Sequence, residues 1–156
     1  MGIQRVEETI TVDTSLDEAW EFFATPNNLA RLTPPKMNMR MIDGMAGKMY
    51  PGMVIRYRVS PLFGISLPWS SEITQVNEKE YFVDNMIEGP FKTWHHQHRF
   101  SEGPEGVEIR DIVHYQVPLG KLGELFAPLL VKQNIEEIFA YRRKQVEKIF
   151  GKNNEA

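Results

Sequence analysis

Residues 88–100 of the chain read EGPFKTWHHQHRF. The dipeptide Gly89-Pro90 marks a turn, and the residues after it have the spacing of a strand. Because the side chains of a strand alternate between its two faces, His96 and His98 share one face with the aromatic residues at 94 and 100. Two imidazoles between two large aromatic rings suit the wall of a cavity better than a surface in contact with water.

The sequence on both sides of this stretch predicts further strands, separated by short turns. Turns are predicted at residues 77–80, 88–91 and 101–106. Besides the histidine-containing stretch, strands are predicted over about residues 3–12, 36–42, 54–59, 68–76, 81–87 and 107–117. Connections this short favour strands that are neighbours in sequence and antiparallel.

Helices are predicted at the two ends of this series of strands. Ser15 and Glu18 fit a capping box, so a short helix should begin there and end near Pro26. A second short helix is predicted over residues 27–32. From residue 121 to residue 150 the apolar residues recur at helical spacing, and Pro128 should kink or split this long helix.

This order of elements predicts an α+β helix-grip fold. A curved antiparallel sheet of about 6–7 strands would wrap around the long C-terminal helix, with two short helices after the first strand. Residues 1–150 would form a single domain, and residues 151–156 a flexible tail.

Several short motifs also point to a family. They are Pro68-Trp69, Phe82-Val83-Asp84, Gly89-Pro90-Phe91, Trp94 with His96 and His98, and Asp111-Ile112-Val113-His114-Tyr115 running into Pro118-Leu119-Gly120. With these motifs the chain resembles a bacterial branch of the START-like (SRPBCC) ligand-binding superfamily, which includes Bet v 1-like and polyketide cyclase/dehydrase-like proteins. The resemblance covers nearly the whole chain and implies a deep apolar cavity between sheet and long helix. The superfamily hosts carriers, receptors and cyclases, so the fold does not select one function.

Composition narrows the classes of partner and site. A net charge of −3 over 156 residues gives no electrostatic reason to expect a nucleic-acid partner. The chain has no cysteine, which excludes disulfides, a thiol nucleophile and thiolate metal ligands. Because neither a signal peptide nor an apolar run of about 18 residues is present, we predict a soluble cytoplasmic protein without an integral membrane segment.

Hairpin geometry predicts which side chains meet across the strands. If the turn at 101–106 pairs Phe100 with Ile109, then His98 faces Asp111. The same register pairs two more residues of each strand: His96 with Val113, and Trp94 with Tyr115. If the turn at 88–91 pairs Met86 with Trp94, two more pairs follow: Asp84 with His96, and Phe82 with His98. A slip of one residue would move these side chains to opposite faces.

Together these registers would gather Asp84, His96, His98 and Asp111 into one polar band. The band has three readings. The pairs could satisfy partly buried polar groups, they could hold the polar end of a ligand, or a histidine oriented by an aspartate could act as general acid or base. These four residues are therefore the candidates for any catalytic role. We expect no metal and no cofactor, because alternating histidines on a strand are less diagnostic than a helical His-Glu-x-x-His motif.

The favoured function is binding of a hydrophobic small molecule, such as a lipid, isoprenoid or polyketide, between sheet and helix. The predicted ligand-binding residues are Trp69, Phe82, Trp94, His96, His98, Asp111, Val113, Tyr115, Leu125, Leu129 and Phe139. Six of the eight methionines lie within residues 37–53, and such adaptable side chains suit a flap over a pocket. One alternative is a cyclase- or dehydratase-type enzyme that uses a cavity histidine. A second is a protein-interaction module that uses the methionine-rich segment and Phe63.

Overall fold

Seven antiparallel strands form one curved sheet in the computed structural model, which describes residues 2–44, 47–61, 63–118 and 123–151. The strands are β1 (Gln4–Val12), β2 (Arg40–Asp43), β3 (Val54–Val59), β4 (Leu67–Asn77), β5 (Tyr81–Glu88), β6 (Thr93–Gly103) and β7 (Gly106–Gln116). Their order across the sheet is β1-β7-β6-β5-β4-β3-β2, so every pair except β1–β7 joins strands that are consecutive in the chain. The predicted α+β helix-grip fold is confirmed.

The helices lie where the sequence predicts them. Helix α1 (Leu16–Phe23) begins at a capping box, in which Ser15 Oγ accepts from the Glu18 amide at 3.2 Å and Glu18 Oε2 accepts from the Ser15 amide at 3.3 Å. The second predicted helix is a 3-10 segment (Pro26–Leu32), followed by a 3-10 turn (Pro35–Met37). Helix α2 (Gly123–Phe150) is continuous, so Pro128 does not split it.

The long helix packs against the sheet through one narrow stripe. Its buried residues recur at intervals of three or four: Val131, Ile135, Phe139, Arg142 and Val146. The stripe contacts Val113 and Tyr115 on the inner face of β7, and Val117 just after the strand. At its C-terminal end, Val146 joins a second cluster with Trp20 and Phe100. The helix therefore lies along the sheet and leaves space between itself and strands β3 to β6.

Strand β3 shows how alternation divides inside from outside. Ile55, Tyr57 and Val59 are buried, while the residues between them are exposed. Of those exposed residues, Arg56 pairs with Asp43 and Arg58 Nε donates to Ser66 Oγ at 2.9 Å. Both arginines thus face away from the interior, as the sequence indicates.

Both predicted hairpin registers are observed. Across β6 and β7, His98 pairs with Asp111, and Phe100 pairs with Ile109. Across β5 and β6, Asp84 pairs with His96. Asp84, His96, His98 and Asp111 consequently point to the concave face that α2 covers.

Two glycines, Gly103 and Gly106, flank the turn between β6 and β7, and only Gly106 is required there. Gly106 has φ +118°, and a Cβ there would lie 2.2 Å from the carbonyl oxygen of Val12. We expect Gly106→Ala to lower the free energy of unfolding by about 1–3 kcal/mol, because the backbone must shift to relieve this contact. The measurement is urea denaturation.

The matched control lies three residues earlier on the same hairpin. A Cβ at Gly103 would meet its nearest neighbour at 3.8 Å, an ordinary van der Waals contact. Gly103→Ala should therefore change stability little. Equal destabilisation by both substitutions would contradict the role given to Gly106.

Candidate functional site

A cavity of about 410 Å³ lies between the sheet and α2. Its wall is mostly apolar and draws on α1, both 3-10 segments, strands β3 to β6 and α2. Apolar lining residues from these elements include Phe22, Leu29, Met37, Ile55, Trp69, Phe91, Trp94, Ile138 and Phe139. Its volume lies within the range of small-molecule sites, about 300–1,000 Å³.

Trp69 contacts three other aromatic residues of the cavity wall. Its ring packs edge-on against Trp94, with centroids 5.3 Å apart, and against Phe91 at 5.7 Å, and it stacks on Tyr57 at 5.9 Å. The indole Nε1–H donates to Ser71 Oγ at 3.0 Å, so the one polar atom of the ring is satisfied inside the wall. This arrangement presents rigid, well-packed aromatic surface to the cavity.

The methionine-rich segment contributes a second part of the wall. Met37, Met39 and Met49 line the cavity, and Met53 is buried beside them. Met41 is partly buried in the same cluster, and Met45 lies outside the described residues. Three flexible thioether side chains therefore border the space, as the predicted flap requires.

Two histidines and two aspartates meet at the polar side of the cavity. Asp111 Oδ1 lies 2.9 Å from His96 Nε2 and 3.0 Å from His98 Nδ1. Asp84 Oδ2 lies 2.7 Å from His98 Nε2 and 3.9 Å from His96 Nδ1. The two imidazole rings lie side by side with their centroids 3.7 Å apart and their planes tilted by 31°. The predicted polar band therefore exists as a connected cluster.

Arg142 of α2 completes this cluster from the opposite side. Its Nη2 donates to Asp111 Oδ1 at 3.2 Å, and its Nε lies 3.2 Å from Asp111 Oδ2, although that second contact lacks hydrogen-bond alignment. Its guanidinium also lies over the ring of Phe23, 5.1 Å from the centroid. No role is predicted for Arg142 from the sequence. The available signal was a charged residue in a stripe that is otherwise buried and apolar.

Charge within the cluster is balanced by these contacts. Burial alone would raise the pKa of Asp111, but Arg142 and the two histidines hold that pKa well below its ordinary value. Burial would likewise raise the pKa of Asp84, and the hydrogen bond from His98 with the neighbouring cations lowers it. Both aspartates are therefore anionic near neutral pH.

The pKa values of the two histidines shift in opposite directions. Burial would lower the pKa of His98, but its contacts with Asp111 and Asp84 outweigh this and raise the pKa. Burial and the nearby charge of His98 lower the pKa of His96, despite its hydrogen bond with Asp111. At pH 6.5, between the raised pKa of His98 and the lowered pKa of His96, the cluster thus holds two carboxylates, one guanidinium, one protonated imidazole and one neutral imidazole.

The predicted ligand-binding residues fall into three groups. Those that line the cavity are Trp69, Phe82, Trp94, His96, His98 and Phe139, and the catalytic candidate Asp84 joins them. Those that are buried but do not line it are Asp111, Val113 and Tyr115. Leu129 is 65% exposed, on the outer side of α2, and the side chain of Leu125 lies outside the described set. The predicted helix position Leu122 and residues 152–156 of the predicted tail also lie outside it.

The remaining two histidines lie on the opposite face of the sheet. His95 Nδ1 is 2.7 Å from Asn85 Oδ1, and its ring centroid is 6.2 Å from that of His114. Neither residue lines the cavity. Alternation along β6 therefore separates the internal His96 and His98 from His95, which lies beside His114 of β7 on the outer face.

A family model described as polyketide cyclase / dehydrase and lipid transport matches residues 4–147. This chain belongs to that family. Its matched region spans all seven strands, the cavity and most of α2. The family places the chain in the SRPBCC/Bet v 1-like superfamily, as the sequence motifs indicate. A search of curated protein sequences gives no match.

Solved structures share the fold at low sequence identity. The Zhui aromatase/cyclase from Streptomyces sp. R1128 superposes with a TM-score of 0.72 and 17% identity, covering 93% of this chain and 92% of that one. Major latex-like protein 151 from Panax ginseng superposes with a TM-score of 0.68 and 16% identity, covering 95% of this chain and 97% of that one. Protein Ms6760 from Mycobacterium smegmatis gives 0.66 and 16%, covering 96% of each. These likenesses show the fold alone. Among the described residues, none of the helices has the length and apolar character to cross a membrane.

Arg142 and its neighbour Arg143 offer a matched test of the cluster. We expect Arg142→Met to lower the free energy of unfolding by about 3–5 kcal/mol, because it leaves the Asp111 carboxylate buried without its cation. Arg143 is 42% exposed, where it bonds Glu8 and the Thr9 carbonyl oxygen, so Arg143→Met should cost about 0–1 kcal/mol. Chemical denaturation measures both, and equal losses would contradict the role of Arg142.

The opposite pKa shifts of the two histidines give a second prediction. The protein is first treated with EDTA, so that no metal ion competes with protons for the imidazoles. ¹H–¹⁵N NMR titration should then show His98 losing its proton above pH 6.5 and His96 losing its proton below pH 6.5. Because the pKa of His98 is raised, its contribution to stability is present below pH 6.5 and is lost as the pH rises through the folded-state pKa. The stability difference between wild type and His98→Gln should therefore shrink from pH 6 to pH 9. A difference that grows over this range would contradict the protonated state of His98.

Proposed function

We propose that the protein binds a hydrophobic small molecule, of the lipid, isoprenoid or polyketide type, in the cavity between the sheet and α2. The observation that carries this proposal is the cavity of about 410 Å³ with a wall of aromatic, aliphatic and methionine side chains. Burial of apolar surface contributes about 25 cal/mol per Å², so an apolar ligand gains affinity from such a wall. Membership in a family whose description includes lipid transport supports the same class of ligand.

The polar cluster would orient one end of that ligand. Asp84 and His96 line the cavity, and Asn134 lines it from α2. Burial and the charge of Asp84 raise the pKa of Tyr57 well above its ordinary value, so this lining phenol keeps its proton. A few polar groups in an apolar wall fix orientation rather than supply most of the affinity.

Charge balance in the cluster favours an uncharged polar group on the ligand. The carboxylates of Asp84 and Asp111 are matched by Arg142 and the protonated His98. A ligand hydroxyl could donate or accept a hydrogen bond at this side of the cavity, and a carbonyl oxygen could accept one, without adding a buried charge, whereas a carboxylate would lack a counter-ion. We therefore infer a ligand with an apolar body and one hydroxyl or carbonyl end.

The two alternatives from the sequence stay predictions. A cyclase or dehydratase requires a histidine in the cavity wall, and both His96 and His98 are there. A protein-interaction module requires exposed apolar residues, and Phe63 is 84% exposed. Neither turnover nor a partner is needed for the binding proposed above.

Filling the cavity tests the binding proposal. Ile138 lies on α2 and lines the cavity, so Ile138→Trp should occupy part of the space. We expect this variant to bind the uncharged fluorescent probe N-phenyl-1-naphthylamine at least about tenfold more weakly, a change of about 1.4 kcal/mol. It should also retain less of any apolar molecule that co-purifies with the wild type, as measured by native mass spectrometry with organic extraction.

The control substitution is on the same helix but outside the cavity. Leu129 is 65% exposed, so Leu129→Trp should leave probe affinity unchanged. Circular dichroism confirms that both variants are folded. Wild-type affinity in folded Ile138→Trp, or no probe binding by the wild type, would overturn the proposed cavity site.

A further inference from the structure

The polar cluster has an inner side and a cavity side, and Asp111 defines the inner side. Asp111 Oδ1 lies 2.9 Å from His96 Nε2 and 3.0 Å from His98 Nδ1. Asp111 is 1% exposed and does not line the cavity. Each imidazole therefore turns one nitrogen toward the same buried carboxylate and keeps its other nitrogen, His96 Nδ1 or His98 Nε2, for the opposite direction.

Those two remaining nitrogens converge on a third donor atom. Asp84 Oδ2, from the neighbouring strand β5, lies 2.7 Å from His98 Nε2 and 3.9 Å from His96 Nδ1. One possible ligand atom from each of Asp84, His96 and His98 lies within 4.8 Å of those from the other two. All three residues line the cavity, so an atom bound between them would be reachable from the ligand space.

This arrangement resembles a metal site, in which one layer of residues binds the ion and an outer layer orients those residues. Two histidines and one carboxylate form a set of three ligands, which leaves coordination positions free for water or substrate. Behind such histidines a carboxylate commonly holds the second ring nitrogen and fixes the orientation of the ring. Here Asp111 Oδ1 is hydrogen-bonded to His96 Nε2 at 2.9 Å, and it lies 3.0 Å from His98 Nδ1 in a contact that lacks hydrogen-bond alignment. Arg142 pairs with Asp111 in turn.

The spacing and charge also suit a divalent ion. Metal–ligand distances of about 2.0–2.1 Å in a tetrahedral site place the donor atoms about 3.3 Å apart, and the present separations lie on both sides of that value. With both imidazoles neutral, Asp84, Asp111 and Arg142 leave one net negative charge. A divalent cation would bind the deprotonated form of both imidazoles.

We propose that Asp84, His96 and His98 form a binding site for a divalent transition-metal ion of the Zn²⁺ or Fe²⁺ class, with open positions directed into the cavity. The imidazole nitrogens favour these ions over Mg²⁺ and Ca²⁺, which prefer oxygen ligands. The site goes beyond ligand binding, because a bound ion would contact the hydroxyl or carbonyl end of a cavity ligand directly. It departs from the expectation of no metal, which was based on the low diagnostic value of alternating ligands on a strand.

Zinc titration of the whole protein tests this site. After EDTA treatment and dialysis, isothermal titration calorimetry with ZnCl₂ should give one high-affinity site per chain, and elemental analysis of the dialysed complex should give one equivalent of zinc. Cobalt(II) should give the visible absorption bands of a low-coordinate site. Asp84→Asn, which keeps the side-chain shape, should weaken zinc binding by more than about 100-fold, because the loss of a direct ligand should exceed the 10–100-fold effect of an outer partner. His96→Gln provides a second variant if Asp84→Asn does not fold.

The chain supplies its own control for surface histidines. His95 and His114 lie together on the opposite face of the sheet. The double variant His95→Gln/His114→Gln should bind zinc as the wild type does. No zinc uptake by the wild type, undiminished affinity in folded Asp84→Asn, or loss of binding in the double variant would each overturn the site. Because the naphthylamine assay reports the cavity without added metal, failure of either proposal is seen separately.

Discussion

The buried ion pair between Asp111 and Arg142 is the contact on which the interior depends. It joins β7 to α2 across the concave face, and both side chains are almost fully removed from water. A buried carboxylate without a cation is expensive, so the helix must lie at the rotation that brings Arg142 to Asp111. That rotation places Val131, Ile135 and Phe139 on the sheet and turns Leu129 to the outside.

The same pair also sets the polarity of the cavity. Arg142 donates a hydrogen bond to Asp111, and Asp111 contacts both internal histidines. Asp84 on β5 contacts His98 from the other side of the cluster. Polar atoms are thereby confined to one side of a wall that is otherwise aromatic and aliphatic. A binding protein and a metal-dependent protein would use this confinement equally well, since each needs one polar point in an apolar space.

Strand pairing could be predicted from the sequence because the physical constraints were local. The turns at 88–91 and 101–106 are short, and alternation along β6 leaves two choices of face, so His98 could be placed opposite Asp111 before the structure was known. The rotation of α2 about its axis was harder to predict. Its stripe has no turn to fix its phase, and Leu129 looked equivalent to Val131 by apolar character alone. The role of Arg142 could not be predicted because it depends on a contact between residues far apart in the chain.

Strand β1 has a consequence for how the chain reaches this structure. It pairs along its whole length with β7, so Gln4 lies beside Tyr115, while all other neighbouring strands are consecutive. During synthesis the first strand therefore has no partner until most of the chain has been made. Pairs so distant in sequence slow folding, because a long loop must close before they form. Until β1 and β7 pair, the edges of the incomplete sheet are open to association with other chains.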